Sequence, residues 1–198
     1  IGQRNTWGLL LARFVSDPVW WFYLFWLPRY LAERKGFTMV EIGMLAWLPY
    51  LAADLGSVAG GLASGHLIKR GWRVVRARYA VMLLCALLMP VSTIIGFTPS
   101  RALALSLICV VTFCHMGWKT NLVTLTNDLY PTEVVGSVSG IVAFGSGLGG
   151  ILFAHLTGII VESFSYDALF GVMGFLHPVA FLLLCRLLRD TAGVSTSG

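Results

Sequence analysis

Two groups of polar residues stand inside otherwise apolar stretches of this chain. In "RFVSDPVWWFYLFWLPRYL", residues 13–31, Arg13 and Asp17 are four apart and share a helix face. Trp20 and Leu24 continue that stripe. Pro18 lacks a backbone N–H, so a kink is expected beside the charges. In "TFCHMGWKTNLVTLTNDLYP", residues 112–131, Thr112, His115, Lys119 and Thr126 fall within a narrow helical arc, with Trp118 at its edge. Asn121 points away from that arc by roughly 120°. A further face carries Trp47, Tyr50, Asp54 and Ser57, continued by Gly61 and Gly65. A cation, a flat aromatic face and hydroxyl-directed donors are what an anionic sugar requires. A carboxyl enclosed in apolar surroundings, as Asp54 would be, suits a proton carrier.

Each feature also has a plainer reading. Arg13 and Asp17 form either a self-neutralising structural pair or part of a cavity wall with a gating or ligand role. Asp54 is a proton carrier, an ion-pair partner, or a neutral acid that holds helices together. Lys119 lies about 12 Å from its helix end at 1.5 Å per residue, within reach of the membrane interface by snorkelling. His155 sits among Phe144, Leu148 and Ile151, and His177 precedes Pro178 on a stretch otherwise free of ionisable groups. Both are read as structural.

Composition sets the solvent in which these residues act. Of 198 residues, 57% are hydrophobic and 12% charged, with mean hydropathy +0.81. Soluble domains carry about a quarter charged residues, so the chain is read as an integral membrane protein. Its formal charge of +5 needs no nucleic acid, because basic residues on one side of a bilayer give the same excess. Cys85, Cys109, Cys114 and Cys185 all sit in apolar runs without CxxC spacing, as small buried apolar residues do. No cofactor or metal site is expected. The opening "IGQRNTWG" has no Met and no signal peptide, as in an internal piece of a longer chain.

A spanning helix needs about 20 mostly apolar residues. Six runs qualify, roughly 6–31, 42–68, 79–97, 102–126, 134–161 and 167–188. They make one all-α bundle over residues 1–190, followed by a small polar tail, 191–198, expected to be disordered. Arg4, Arg13, the cluster Lys69, Arg70, Arg73, Arg76 and Arg78, and Arg186 and Arg189 fall on one side; Arg29, Arg34, Lys35 and Arg101 fall on the other. The positive-inside rule then makes both termini cytoplasmic. Along the rods, Asp17 lies on the order of 16 Å, and Asp54 about 20 Å, from their helix starts, both near midplane. A charge there costs about 2.5–3.5 kcal/mol on the insertion scale, so it is expected to face a cavity or a partner. Gly56/Gly60, Gly61/Gly65, Gly136/Gly140 and Gly145/Gly149 have GxxxG spacing, which predicts close helix packing on the second and fifth runs.

Several strings together carry a resemblance. "DPVWWFYLFWLPRYL" (17–31), "EIGMLAWLPYLAADLGSVAGG" (41–61), "LIKRGW" (67–72), "HMGWKTNLVTLTNDLYP" (115–131) and "PTEVVGSVSG" (131–140) resemble the C-terminal six-helix half of a major facilitator superfamily transporter. Within it, they resemble the anion:cation symporter group that includes bacterial hexuronate transporters. The resemblance covers essentially the whole chain. It implies helices seven to twelve of that fold, built as two inverted three-helix repeats with substrate near midplane between halves. It also implies substrate contact at Trp20, Trp21, Tyr23, His115, Trp118, Lys119, Asn121 and the 143–147 region, beside Arg13, with Asp17 and Asp54 in coupling or gating. Ser64 and Gly65 stand where an Asp is usual in the cytoplasmic loop motif, and Val135 where an Arg often follows the "PTE" turn. The gate network of this half is therefore expected to be weak or differently built.

The function expected is that of half a secondary transporter in the cell (inner) membrane. It would move an organic anion, a sugar acid such as glucuronate or galacturonate, by proton-coupled alternating access against an N-terminal six-helix half. The rival is a six-helix fragment or subunit that only packs against a partner. No HExxH, partnered GxSxG or carboxylate-rich metal motif is present, which speaks against an enzyme. No filter-like motif speaks for a channel.

Overall fold

The computed structural model describes residues 3–188. Arg189 and the tail 191–198 lie outside the described residues. Among the described residues every regular element is helical. They are α1 (Gln3–Ser16), α2 (Pro18–Phe25), α3 (Leu27–Lys35), α4 (Met39–Leu45), α5 (Leu48–Lys69), α6 (Val74–Leu88), a 3-10 turn (Met89–Val91), α7 (Ser92–Phe97), α8 (Arg101–Leu129), α9 (Thr132–Ser163) and α10 (Tyr166–Leu187).

Prolines account for most of the breaks. Pro18, Pro28 and Pro49 each stand in the first turn of a helix that follows a break, and Pro90 lies in the 3-10 turn. Five stretches are long and apolar enough to cross a membrane: Met39–Lys69, Val74–Phe97, Arg101–Leu129, Thr132–Ser163 and Tyr166–Leu187. The first expected run, 6–31, is not a sixth. It carries charges and is cut twice, into α1, α2 and α3. The backbone still stays right-handed through both cuts, at Asp17 (φ −70°, ψ −22°) and Trp26 (φ −106°, ψ −16°). Hydrogen bonds from Trp21 N–H to Asp17 O and from Tyr30 N–H to Trp26 O carry it across. The result is a broken rod rather than a smooth helix with one kink.

Helix contacts follow a two-fold pattern. The largest are α5 on α8, α1 on α9, α1 on α10 and α6 on α8. Exchanging the first three rods (α1–α3, α4–α5, α6–α7) for the last three (α8, α9, α10) maps these contacts onto one another, as two three-helix repeats require. The glycines obey the same exchange. A Cβ on Gly56 or Gly60 would strike the α8 backbone at Phe113 or Gly117. A Cβ on Gly145 or Gly149 would strike the α1 backbone at Leu10 or Phe14. The other two GxxxG pairs are not used in this way. Gly61 meets only the Thr120 side chain at 3.6 Å, and Gly65, Gly136 and Gly140 have nothing within 4 Å.

Charged groups gather at the two ends of the bundle. At one end Arg29 pairs with Glu33 at 2.8 Å, Arg34 with Asp167 at 3.6 Å and Arg101 with Glu41 at 2.7 Å. The Arg29 hydrogen bond, aided by Tyr166, holds the Glu33 carboxyl below the usual carboxylate range. At the other end Arg78 donates to Asp128 at 3.0 Å and to Ser64 Oγ at 2.7 Å. Ser64 thus stays in the network as an acceptor, and Asp128 supplies the carboxylate. The network is differently built rather than empty.

Gly56→Ala is expected to cost about 1–3 kcal/mol by overpacking, read as a lower Tm of the detergent-purified chain. Gly65→Ala, in open space, is expected to leave Tm unchanged. Equal shifts for the two would contradict the packing described.

Candidate functional site

The break at Pro18 and the first charge pair form one unit. Pro18 has no N–H for the Phe14 carbonyl, and Gly149 of α9 packs directly against that oxygen. One residue earlier, Asp17 Oδ2 accepts from Arg13 Nε at 2.9 Å and from Arg13 Nη2 at 2.8 Å. Ser16 Oγ reaches Asp17 Oδ1 at 3.4 Å, and Ser16 in turn accepts from Trp118 Nε1 at 3.1 Å. The Asp17 side chain is 2% exposed and that of Arg13 12%, so the carboxylate lies deeper than its partner.

Trp20, one turn beyond, is held on three sides. Its ring stacks on His115 at 5.8 Å with planes 8° apart. It meets Tyr50 of α5 edge-on at 6.0 Å. The Lys119 ammonium stands 5.9 Å from its centre. Among the described residues, no hydrogen bond or ion pair is formed by Lys119, although Asp17 and Arg13 both lie within its electrostatic reach. Trp21 turns toward α9 instead, donating to Ser146 O at 3.3 Å and lying against Gly150, where a Cβ would strike the indole.

Burial divides the expected site residues. Arg13, Trp20, Trp21 and Lys119 remain part-exposed, and Asp54 is exposed. Tyr23, His115, Trp118 and Asn121 are enclosed, with at most 1% exposure. They therefore line no open surface, although the family resemblance implies substrate contact for all four. Asn121 donates to Gly60 O at 3.0 Å and Gly117 O at 2.8 Å, tying α8 to α5 where their backbones touch. His115 Nδ1 shares a hydrogen bond with His177 Nε2 at 3.1 Å, and Trp118 packs edge-on against His177. His177 thus belongs to the support of Trp20. No spacing rule links residues on α8 and α10, so the sequence had no signal for this pair. Ser16 is equally silent in sequence. Ser57 of α5 hydrogen-bonds Thr120 of α8 at 2.7 Å. A groove of about 280 Å³ between Phe14, Gly149 and Leu176 is almost wholly apolar and contains none of these polar groups.

A part-exposed cation over an indole, beside an ion pair on a broken rod, within a bundle of membrane-length helices, describes a transport wall better than a catalytic centre. Residues 1–154 match the family described as Major Facilitator Superfamily. The chain belongs to that superfamily. It is a multi-pass membrane protein, and its relatives are transporters rather than enzymes. It is similar to the hexuronate transporter of Escherichia coli (strain K12), 29% identical over 98% of this chain and 45% of that protein. The hexuronate transporter of Bacillus subtilis (strain 168) is 27% identical over 96% of this chain and 46% of its own length. A protein named "Probable galactarate/D-glucarate transporter" in Escherichia coli (strain K12) is 27% identical over 88% of this chain and 39% of its own. The chain therefore spans less than half the length of these curated relatives.

If Asn121 supports the wall rather than touching a substrate, Asn121→Ala should lower Tm, at about 1 kcal/mol per lost hydrogen bond. The KM for a transported anion should stay within about twofold. A large rise in KM with Tm unchanged would make it a direct contact.

Proposed function

We propose that this chain is the C-terminal six-helix half of a secondary transporter that moves an organic anion, specifically a sugar acid such as glucuronate or galacturonate. The observation that carries the reading is the Lys119 ammonium, without an ion-pair partner among the described residues, set over the part-exposed face of Trp20. The names of the similar proteins support the substrate class. Arg13 and Lys119 meet the carboxylate, and Trp20 and Trp21 pack on the ring. Tyr23, His115, Trp118 and Asn121 hold those groups from behind. Asp17 keeps Arg13 in place until the substrate's carboxylate competes for it, and Asp54 faces the cavity as a coupling or gating carboxylate. Protons drive the cycle. The half rocks against an N-terminal six-helix half, from the same gene or a separate chain. Open space at Gly65, Gly136 and Gly140 accords with such a neighbour. Both termini are cytoplasmic and the membrane is the inner one on this reading, which the excess of basic residues on one side supports.

The test is uptake of radiolabelled glucuronate and galacturonate into proteoliposomes with an imposed pH gradient. The chain is assayed alone and with a six-helix partner half. Uptake is expected only with the partner and only while the gradient stands. A protonophore should abolish accumulation, and Trp20→Ala should raise KM about tenfold, the equivalent of about 1.4 kcal/mol. Gradient-independent accumulation would remove proton coupling. No uptake in either preparation would leave a subunit that only packs.

A further inference from the structure

We propose that Lys119 and the Arg13–Asp17 pair together set the charge this wall accepts, and that they select a sugar acid with one carboxylate over one with two. The inference rests on the sugar-acid reading above and goes beyond it, since the names of similar proteins include both hexuronates and the dicarboxylates galactarate and glucarate.

The argument is a count of charges at one place. Arg13 is positive, but both of its nitrogens within bonding distance are spent on Asp17 Oδ2. The remaining Asp17 oxygen takes Ser16. That pair is neutral. Lys119 has no such partner among the described residues, and Asp17 and Arg13 both lie within its electrostatic reach. His115 and His177, the titratable groups packed behind Trp20, bond each other and face away from open surface. This cluster of three side chains thus carries one uncompensated positive charge. A monocarboxylate neutralises it. A second carboxylate on the same small molecule would enter a low-dielectric surface with no cation of this cluster left to meet it. A substrate carboxylate that draws Arg13 from Asp17 leaves the count unchanged, because the Asp17 carboxylate stays within the electrostatic reach of Lys119. Only removing the Asp17 charge makes a second cation available.

Galactonate and galactarate are both open-chain and differ only in the oxidation state of one terminal carbon, so they isolate the second charge; galacturonate, a ring-forming monocarboxylate, is assayed beside them. The experiment measures uptake of each by the proteoliposomes described above. Wild type is expected to favour galacturonate and galactonate over galactarate at least tenfold in kcat/KM. Lys119→Gln should lower galacturonate kcat/KM at least tenfold, and Lys119→Arg should restore both uptake and preference. Asp17→Asn should shift the ratio toward galactarate at least tenfold. Because that change leaves Arg13 without its partner and can impair folding, the double variant Arg13→Gln/Asp17→Asn serves as a second probe. It keeps one net positive charge, so it should keep the wild-type ratio even where its rate falls. Equal wild-type uptake of galactonate and galactarate, or an unchanged galacturonate kcat/KM in Lys119→Gln, would overturn this inference and leave the sugar-acid reading standing. Uptake of none of these acids would remove the sugar-acid reading itself.

Discussion

The close approach of backbones at two glycine pairs is the constraint on which the rest depends. In lipid, burying an apolar side chain against another helix gains little over burying it in acyl chains, so helices are held by packing and hydrogen bonds. Here Gly56 and Gly60 bring α5 onto the backbone of α8 at Phe113 and Gly117, and Gly145 and Gly149 bring α9 onto α1 at Leu10 and Phe14. His115 and Lys119 stand two residues to either side of Gly117. Arg13 and Asp17 flank Phe14. The polar wall is thus hung directly on the two tightest contacts in the bundle, and its geometry follows from them.

The break at Pro18 gains its meaning from the same contact. A proline in a membrane helix leaves a carbonyl without its donor, a cost that must be met locally. The Phe14 carbonyl lies against the Gly149 backbone, where no larger residue fits. Beyond the cut, Trp20 lies over His115 and beside Tyr50. Trp20 and Trp21 are adjacent on α2 and point about 100° apart, so one goes to α8 and the other to α9.

The wall also explains why buried polar residues are so many in an apolar chain. Asn121 ties α8 to α5, Ser16 links Trp118 to Asp17, and the two histidines bond across α8 and α10. None of them touches open surface. They hold the few that do, in the manner of a supporting shell that fixes the rotamers of the groups in front. Two-fold exchange of the helix contacts supplies a frame in which this support is repeated only in outline. The glycine contacts recur in both repeats, whereas the cation and its indole occur once.

Membrane character, the all-α class and the stretches that carry charge were legible from the sequence, because hydropathy and charge are one-dimensional quantities in a bilayer; that the first run is cut into three helices was not. The resemblance to the superfamily was legible in strings such as "DPVWWFYLFWLPRYL". Helical spacing also paired Arg13 with Asp17, since an i,i+4 contact needs only one helix. What spacing could not decide was which face of each rod is covered. It set His115 on one arc of α8 with Trp118 at its edge, and only the fold shows that α10 and α2 close over them. It treated the four GxxxG pairs alike, and only the partner helix distinguishes those that touch a backbone from those that face open space. It left His177 alone on its helix, and tertiary folding brought it to His115 across 62 residues of chain. Contacts within a helix are written in sequence order; contacts between helices depend on how whole rods are turned against each other, and that was decided by the fold.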